Sequence, residues 1–105
     1  MMNPSILFLF CGPVRQPVVL AMHEDQTLET MQGLVGGFIE MVDIAPNIQV
    51  VCDEEGLLKN YPYNRQLPTG HQIHGNFLIV KGNRAGKTVS LTAKDIKTYL
   101  TMFRV

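Results

Sequence analysis

The 105 residues include no tryptophan, two cysteines and two serines, Ser5 and Ser90. Two cysteines are too few for a disulfide-stapled scaffold, which needs a dense cysteine framework. Neither serine sits in a strand-to-helix nucleophile elbow, and neither Cys11 nor Cys52 has the basic neighbours that would lower a thiol pKa. Cys11 and Cys52 end the apolar runs Ile6–Cys11 and Ile48–Cys52, positions typical of buried free thiols. No apolar run approaches the roughly 20 residues of a membrane helix. The run Ile6–Cys11 also has no basic residue before it, so the pattern of a secretory signal is absent. A soluble cytoplasmic protein with no membrane partner is the expectation.

Nine Lys and Arg balance nine Asp and Glu. That excludes a uniformly basic nucleic-acid binder, and the modest glycine and proline content excludes collagenous or disordered chains. Apolar residues make up 46% of the chain, enough for one core, so residues 1–105 are expected to form a single domain.

Leu28, Met31 and Val35 recur at helical spacing, widened by Leu34, with Asp25 or Thr27 as the cap and Gly36-Gly37 as the stop. A second helix follows Thr92-Ala-Lys-Asp95, which has capping-box form, and carries Ile96, Tyr99, Leu100 and Phe103 on one stripe. The other apolar runs are short and rich in β-branched and aromatic residues, as in strands: Ile6–Cys11, Val18–Met22, Phe38–Val42, Ile48–Cys52, Ile73–Val80 and Val89–Leu91. Pro46-Asn47 reads as a turn, and Tyr61–Pro68, with two prolines and no period, as an irregular loop. The order predicts an α+β domain: a mainly antiparallel sheet of about five to six strands with two helices packed on one face.

Gly82-Asn-Arg-Ala-Gly86-Lys87-Thr88 approaches a phosphate-binding loop but has three residues between its glycines where four are required. A strand follows it instead of a helix, so a hairpin loop is expected. His71 and His74 form an H-x-x-H at a strand entry, where residues three apart face opposite ways; His23 is the other histidine. With no cysteine or carboxylate beside them in sequence, neither a metal centre nor a cofactor is expected. Glu40 alternates with the apolar Phe38 and Val42, and a carboxylate placed so finds a cation or titrates high. Arg65 is the candidate cation. Two readings stand: a Glu40–Arg65 brace that holds the loop to the sheet, or a notch of Glu40, Asn64 and Arg65 that binds a small molecule or nucleotide.

Charge order says more than the total. Residues 1–55 carry eight acids and the single base Arg15, a net −7; residues 56–105 carry eight bases and the single acid Asp95, a net +7. Either the halves interleave and neutralise each other, or Lys81, Arg84, Lys87, Lys94 and Lys97 form a basic patch that meets an acidic partner.

Gln32-Gly-Leu-Val35-Gly36-Gly37-Phe-Ile-Glu40 resembles the Q-x-x-V-G-G-x-I-E signature of the family called domain of unknown function 3846. Asp53-Glu54-Glu55-Gly56, Pro62-Tyr-Asn64-Arg65, Gly75-Asn-Phe-Leu78-Ile79-Val80 and Ser90-Leu91-Thr92 resemble its later motifs in order, over roughly residues 15–101. Asp53 departs from the family's usual Asn. Members are typically small proteins of phages, plasmids and other mobile elements with no agreed activity, and the resemblance implies that Gln32, Glu40, Glu54, Asn64 and Arg65 matter. The charge split and the absence of a nucleophile or metal cluster make the first functional expectation a non-catalytic binding module, encoded by a phage or mobile element, that occupies a host macromolecule. A protein partner or self-association ranks ahead of nucleic acid. The small-molecule notch is second, and an enzyme with Glu40 as general base is third.

Overall fold

In a computed structural model, which describes residues 5–105, the apolar runs pair into one antiparallel sheet. In chain order the strands are β1 (Ser5–Cys11), β2 (Val18–His23), β3 (Ile39–Ala45), β4 (Ile48–Asp53), β5 (Tyr63–Gln66), β6 (Gln72–His74), β7 (Phe77–Gly82) and β8 (Thr88–Val89). Helix α1 (Thr27–Val35) lies between β2 and β3, and α2 (Ala93–Met102) follows β8. The main sheet runs β2-β1-β7-β4-β3, with the short β8 paired to β7, and β5-β6 form a separate two-stranded ribbon. The expected α+β class and the six-stranded antiparallel sheet are both present.

The two helices do not share a face, which corrects the expectation. Phe77 and Ile79 of β7 join Leu9, Cys11, Val50 and Cys52 in a cluster closed by Tyr99 of α2, Phe103 at its C-terminal cap, Ile73 of β6 and Leu67 in the β5–β6 turn. Leu78 and Val80 point the other way, with Ile6, Phe8 and Val51, onto Met31 and Val35 of α1. The reason is visible in β7 itself. Four consecutive residues, Phe77–Val80, are at most 1% exposed, and a strand with no polar alternate needs cover on both sides.

Gly75 divides the expected strand Ile73–Val80 into β6 and β7. Its φ is +87°, and a Cβ there would stand 2.6 Å from Tyr61 Cδ2, so only glycine fits this corner. Its N–H donates to Pro62 O at 2.8 Å, locking the corner where the chain leaves the ribbon for the main sheet. The expected irregular loop also contains β5, which pairs with β6 through a register shift between Tyr63 and Arg65.

Helix α1 stops as expected at Gly36, whose φ is +97° and whose N–H donates to Gln32 O at 2.8 Å. Its start differs from expectation. A 3-10 turn at Glu24–Gln26 precedes it, capped by His23 Nδ1, which accepts from the Asp25 N–H at 3.2 Å. The capping box of α2 forms in both directions: the Asp95 N–H donates to Thr92 Oγ1 at 3.1 Å and the Thr92 N–H to Asp95 Oδ2 at 2.9 Å. Thr92→Ala is expected to cost ~1 kcal/mol, typical of a lost N-cap. Differential scanning calorimetry should register this as a fall in Tm of about 4–8 °C for a domain of this size.

Candidate functional site

The sequence candidates separate into distinct places. Asn64 occupies the register shift of β5, where an extra residue re-aims its side chain, and it is buried. Its Nδ2 donates to Cys11 O at 2.9 Å and Gly75 O at 2.7 Å, pinning the ribbon to β1. Arg65 reaches the C-terminal end of α2. Its Nε and Nη2 donate to Phe103 O at 2.9 and 2.6 Å, and its Nη1 to Gly12 O at 3.3 Å and Asn64 Oδ1 at 2.6 Å. Nη2 also donates to Arg15 O. A guanidinium at a helix C-terminus meets the partial negative charge of the terminal carbonyls. The fork therefore ties β5, the β1–β2 turn and α2 together, and its Cζ lies 5.8 Å from the Phe77 ring centroid.

Glu40 is not among these contacts. Its Oε1 lies 4.0 Å from His71 Nε2, so the structure assembles neither a Glu40–Arg65 brace nor a Glu40, Asn64, Arg65 notch. Arg65 is a brace, but to backbone carbonyls.

Around Glu40 the fold supplies what the sequence spacing did not. Glu40 of β3 is the register partner of Cys52 on β4, and His71 enters from the turn before β6. One donor atom from each, carboxylate O, thiol Sγ and imidazole N, lies within 4.8 Å of the other two. They line a cleft of about 260 Å³ together with Asp53, Glu54, Gly56, Gln72 and His74. Burial pushes the Cys52 thiol up to about 11, and the Glu40 and Asp53 carboxylates add to the shift. His74 has a different role from its H-x-x-H partner: its Nδ1 lies 3.3 Å from Tyr61 O and its ring meets Tyr63 edge-on.

Sequence reasoning found Glu40 but missed Cys52 and His71. A tight turn at Pro46-Asn47 by itself sets Glu40 opposite Asp53. A bulge between Asp43 and Ala45 shifts the register by one, so that Glu40 faces Cys52.

Glu54 is exposed on the rim of this cleft, while Gln32 lies apart, in a shallow depression with Gly37, Phe38, Glu55 and Lys59. Asp53 is buried between the two places. Its Oδ2 accepts from Lys59 Nζ at 2.8 Å and its Oδ1 from the Glu55 N–H at 2.9 Å. Burial alone would raise its pKa, but these hydrogen bonds and the Lys59 charge outweigh that and hold the carboxyl below its ordinary value. The Asp53 carboxylate thus has its own cation.

The glycine-bearing loop is the β7–β8 hairpin connection, as expected. Asn83 Oδ1 accepts from the N–H groups of Ala85 and Lys87, both at 3.0 Å, which closes the loop on itself. The basic residues divide. Lys81 pairs with Asp95 at 3.0 Å and Lys87 stands 4.0 Å from Glu24, so two of the five have carboxylate neighbours. Arg84, Lys94 and Lys97 are exposed, with no carboxylate within 4.0 Å among the described residues. Both cysteines are free and buried, and burial pushes the Cys11 thiol up to about 12 against the opposing pull of Arg65. No helix among the described residues is long and apolar enough to cross a membrane.

A family model described as domain of unknown function (DUF3846) matches residues 6–104, nearly the whole chain, and the chain belongs to that family. No curated protein and no solved structure matches it.

Proposed function

We propose that this member of the DUF3846 family is a non-catalytic binding module that engages an acidic protein partner through the β7–β8 hairpin tip and α2. The observation that supports this reading is the set of exposed cations without counter-ions: Arg84 on the hairpin, and Lys94 and Lys97 three apart on α2. The Lys81–Asp95 ion pair joins the hairpin stem to the first turn of α2. Unpaired surface cations raise encounter rates with an acidic surface and discriminate against basic ones. The high-lying thiols of Cys11 and Cys52 argue against cysteine nucleophilic chemistry at neutral pH. The family's usual setting in phages and plasmids favours a macromolecule of a bacterial host, met in its cytoplasm, as the partner.

The test compares wild type with the triple variant Arg84→Glu, Lys94→Glu, Lys97→Glu. All three positions are exposed, so circular dichroism should show an unchanged fold. Affinity capture from bacterial lysate, quantified by mass spectrometry, should recover an acidic protein with the wild type and lose it with the variant. Raised salt should also release it, because interactions between exposed charges are screened. Equal recovery by both proteins removes the basic-surface reading. Retardation of mixed-sequence DNA by wild type alone, with no protein recovered, replaces the protein partner by nucleic acid.

A further inference from the structure

We propose that Glu40, Cys52 and His71 form a three-ligand site for a thiophilic divalent cation of the zinc class. The donor set is one imidazole nitrogen, one sulfur and one carboxylate oxygen, a combination that suits zinc and is poorly matched to magnesium or calcium, which take oxygen ligands. Three separate segments deliver it: β3, β4 and the turn into β6.

The geometry is close to that of a bound site. The three donor atoms lie within 4.8 Å of one another, and His71 Nε2 is 4.0 Å from Glu40 Oε1. Zinc bond lengths of roughly 2.0–2.3 Å in a tetrahedron place donor atoms about 3.3–3.6 Å apart. Closing that difference calls for rotation of the Glu40 and His71 side chains toward the Cys52 Sγ, which is buried beside Glu40 O at 3.8 Å. The Glu40 and His71 side chains are 40% and 39% exposed and have room to turn, while β3–β4 pairing holds the backbone of Glu40 and Cys52 fixed.

Charge points the same way. Among the described residues the cleft is lined by the Glu40 and Glu54 carboxylates and by no Lys or Arg, while the Asp53 carboxylate is already paired with Lys59, so a cation entering it meets net negative charge. On binding, the Cys52 S–H bond breaks, the sulfur keeps the electron pair as a thiolate ligand, and the proton leaves to bulk water. Three protein ligands would leave a fourth tetrahedral position for water or an exogenous ligand. The cation would also clamp the β5–β6 ribbon to the β3–β4 hairpin, a contact that does not involve the basic surface.

The experiment titrates cobalt(II) and zinc(II) into reduced full-length protein at neutral pH. The expected result is one equivalent of cobalt with a sulfur-to-cobalt charge-transfer band, displaced by zinc, and a rise in Tm with zinc. Glu40→Gln and His71→Gln alter half-exposed side chains and should fold normally. Each should weaken zinc binding by at least roughly the 10–100-fold that outer-shell partners alone cost. Cys52→Ser should abolish the charge-transfer band. Its burial makes it the variant most prone to unfold, so the two glutamine variants carry the test independently. Absence of the band and of any zinc-dependent Tm shift in wild type overturns the site. So does a band and affinity left unchanged by His71→Gln or Glu40→Gln.

Discussion

Phe77→Ala is expected to lower the free energy of unfolding by about 3–5 kcal/mol, the range for truncating a buried phenylalanine. Phe77 is fully buried at the head of the central strand, register-paired to Cys11 on one side and Cys52 on the other. Its ring meets Phe103 edge-on at 5.3 Å and lies under the Arg65 guanidinium. Truncation would leave α2, the ribbon and the sheet facing a shared void, and a core of this size has few side chains able to collapse into it. Against a total stability of typically 5–15 kcal/mol, that loss leaves the variant marginal at 37 °C. Urea unfolding followed by far-ultraviolet circular dichroism measures it directly. A change below about 1 kcal/mol would mean that the two sides of the ring are not packed as described.

Arg65→Met is the second large effect, expected at about 2–4 kcal/mol, because hydrogen bonds from a charged donor contribute more than neutral ones and their loss leaves acceptors unpaired. The acceptors at risk are the carbonyls of Phe103, Gly12 and Arg15, with Asn64 Oδ1. Methionine keeps much of the aliphatic volume, so the loss reports the guanidinium and not the stem. Arg65→Lys should recover only part of the stability, since an ammonium cannot reproduce a planar fork reaching three segments at once. The double variant with Phe77→Ala should show a coupling of roughly 0.5–3 kcal/mol, as expected for residues in contact. If Arg65 served a ligand instead of the fold, Arg65→Met would leave the urea midpoint where it was.

Much of the architecture was legible because it rests on local chemistry. The capping box at Thr92 and Asp95, the stop at Gly36 and the strand runs β1, β2 and β4 all appear where residue type and spacing place them. Gly75 was harder to read. The run Ile73–Val80 is broken by the turn-type dipeptide Gly75-Asn76, but only the packing of Tyr61, fourteen residues upstream, shows that no side chain fits at that corner. The placement of the two helices was readable in principle from Phe77–Val80, whose lack of alternation already demanded two covered faces.

The candidate site was legible in part. Asn64 and Arg65 stand out in the sequence, but apart from their bond to each other their partners are main-chain carbonyls, which carry no residue-specific signal. Glu40 stands out for its apolar neighbours, yet its real companions depend on a single bulge in β3 and on a ribbon turn that returns His71 across the sheet. Pairing of that kind is set by tertiary geometry. The charge halves interleave only partly: Glu24 reaches Lys87 and Asp53 reaches Lys59, while Arg84, Lys94 and Lys97 stay unmatched within 4.0 Å among the described residues.

The position of β1 between β2 and β7 has a kinetic consequence. Leu9 pairs with Ile79, about seventy residues further along the chain, whereas β1–β2 and β3–β4 close over short loops. Two hairpins can therefore form early, but the face that α2 and the ribbon later cover stays bare until after the strand that joins them arrives. During synthesis, β1 and β4 each wait with one edge unpaired until residue 82 has left the ribosome, and α2 is made later still. A sheet closed by its most distant pairing folds on the slower scale of non-local topologies. During that interval, the hairpin edges β7 will occupy are the surfaces a nascent chain most needs to keep from its neighbours.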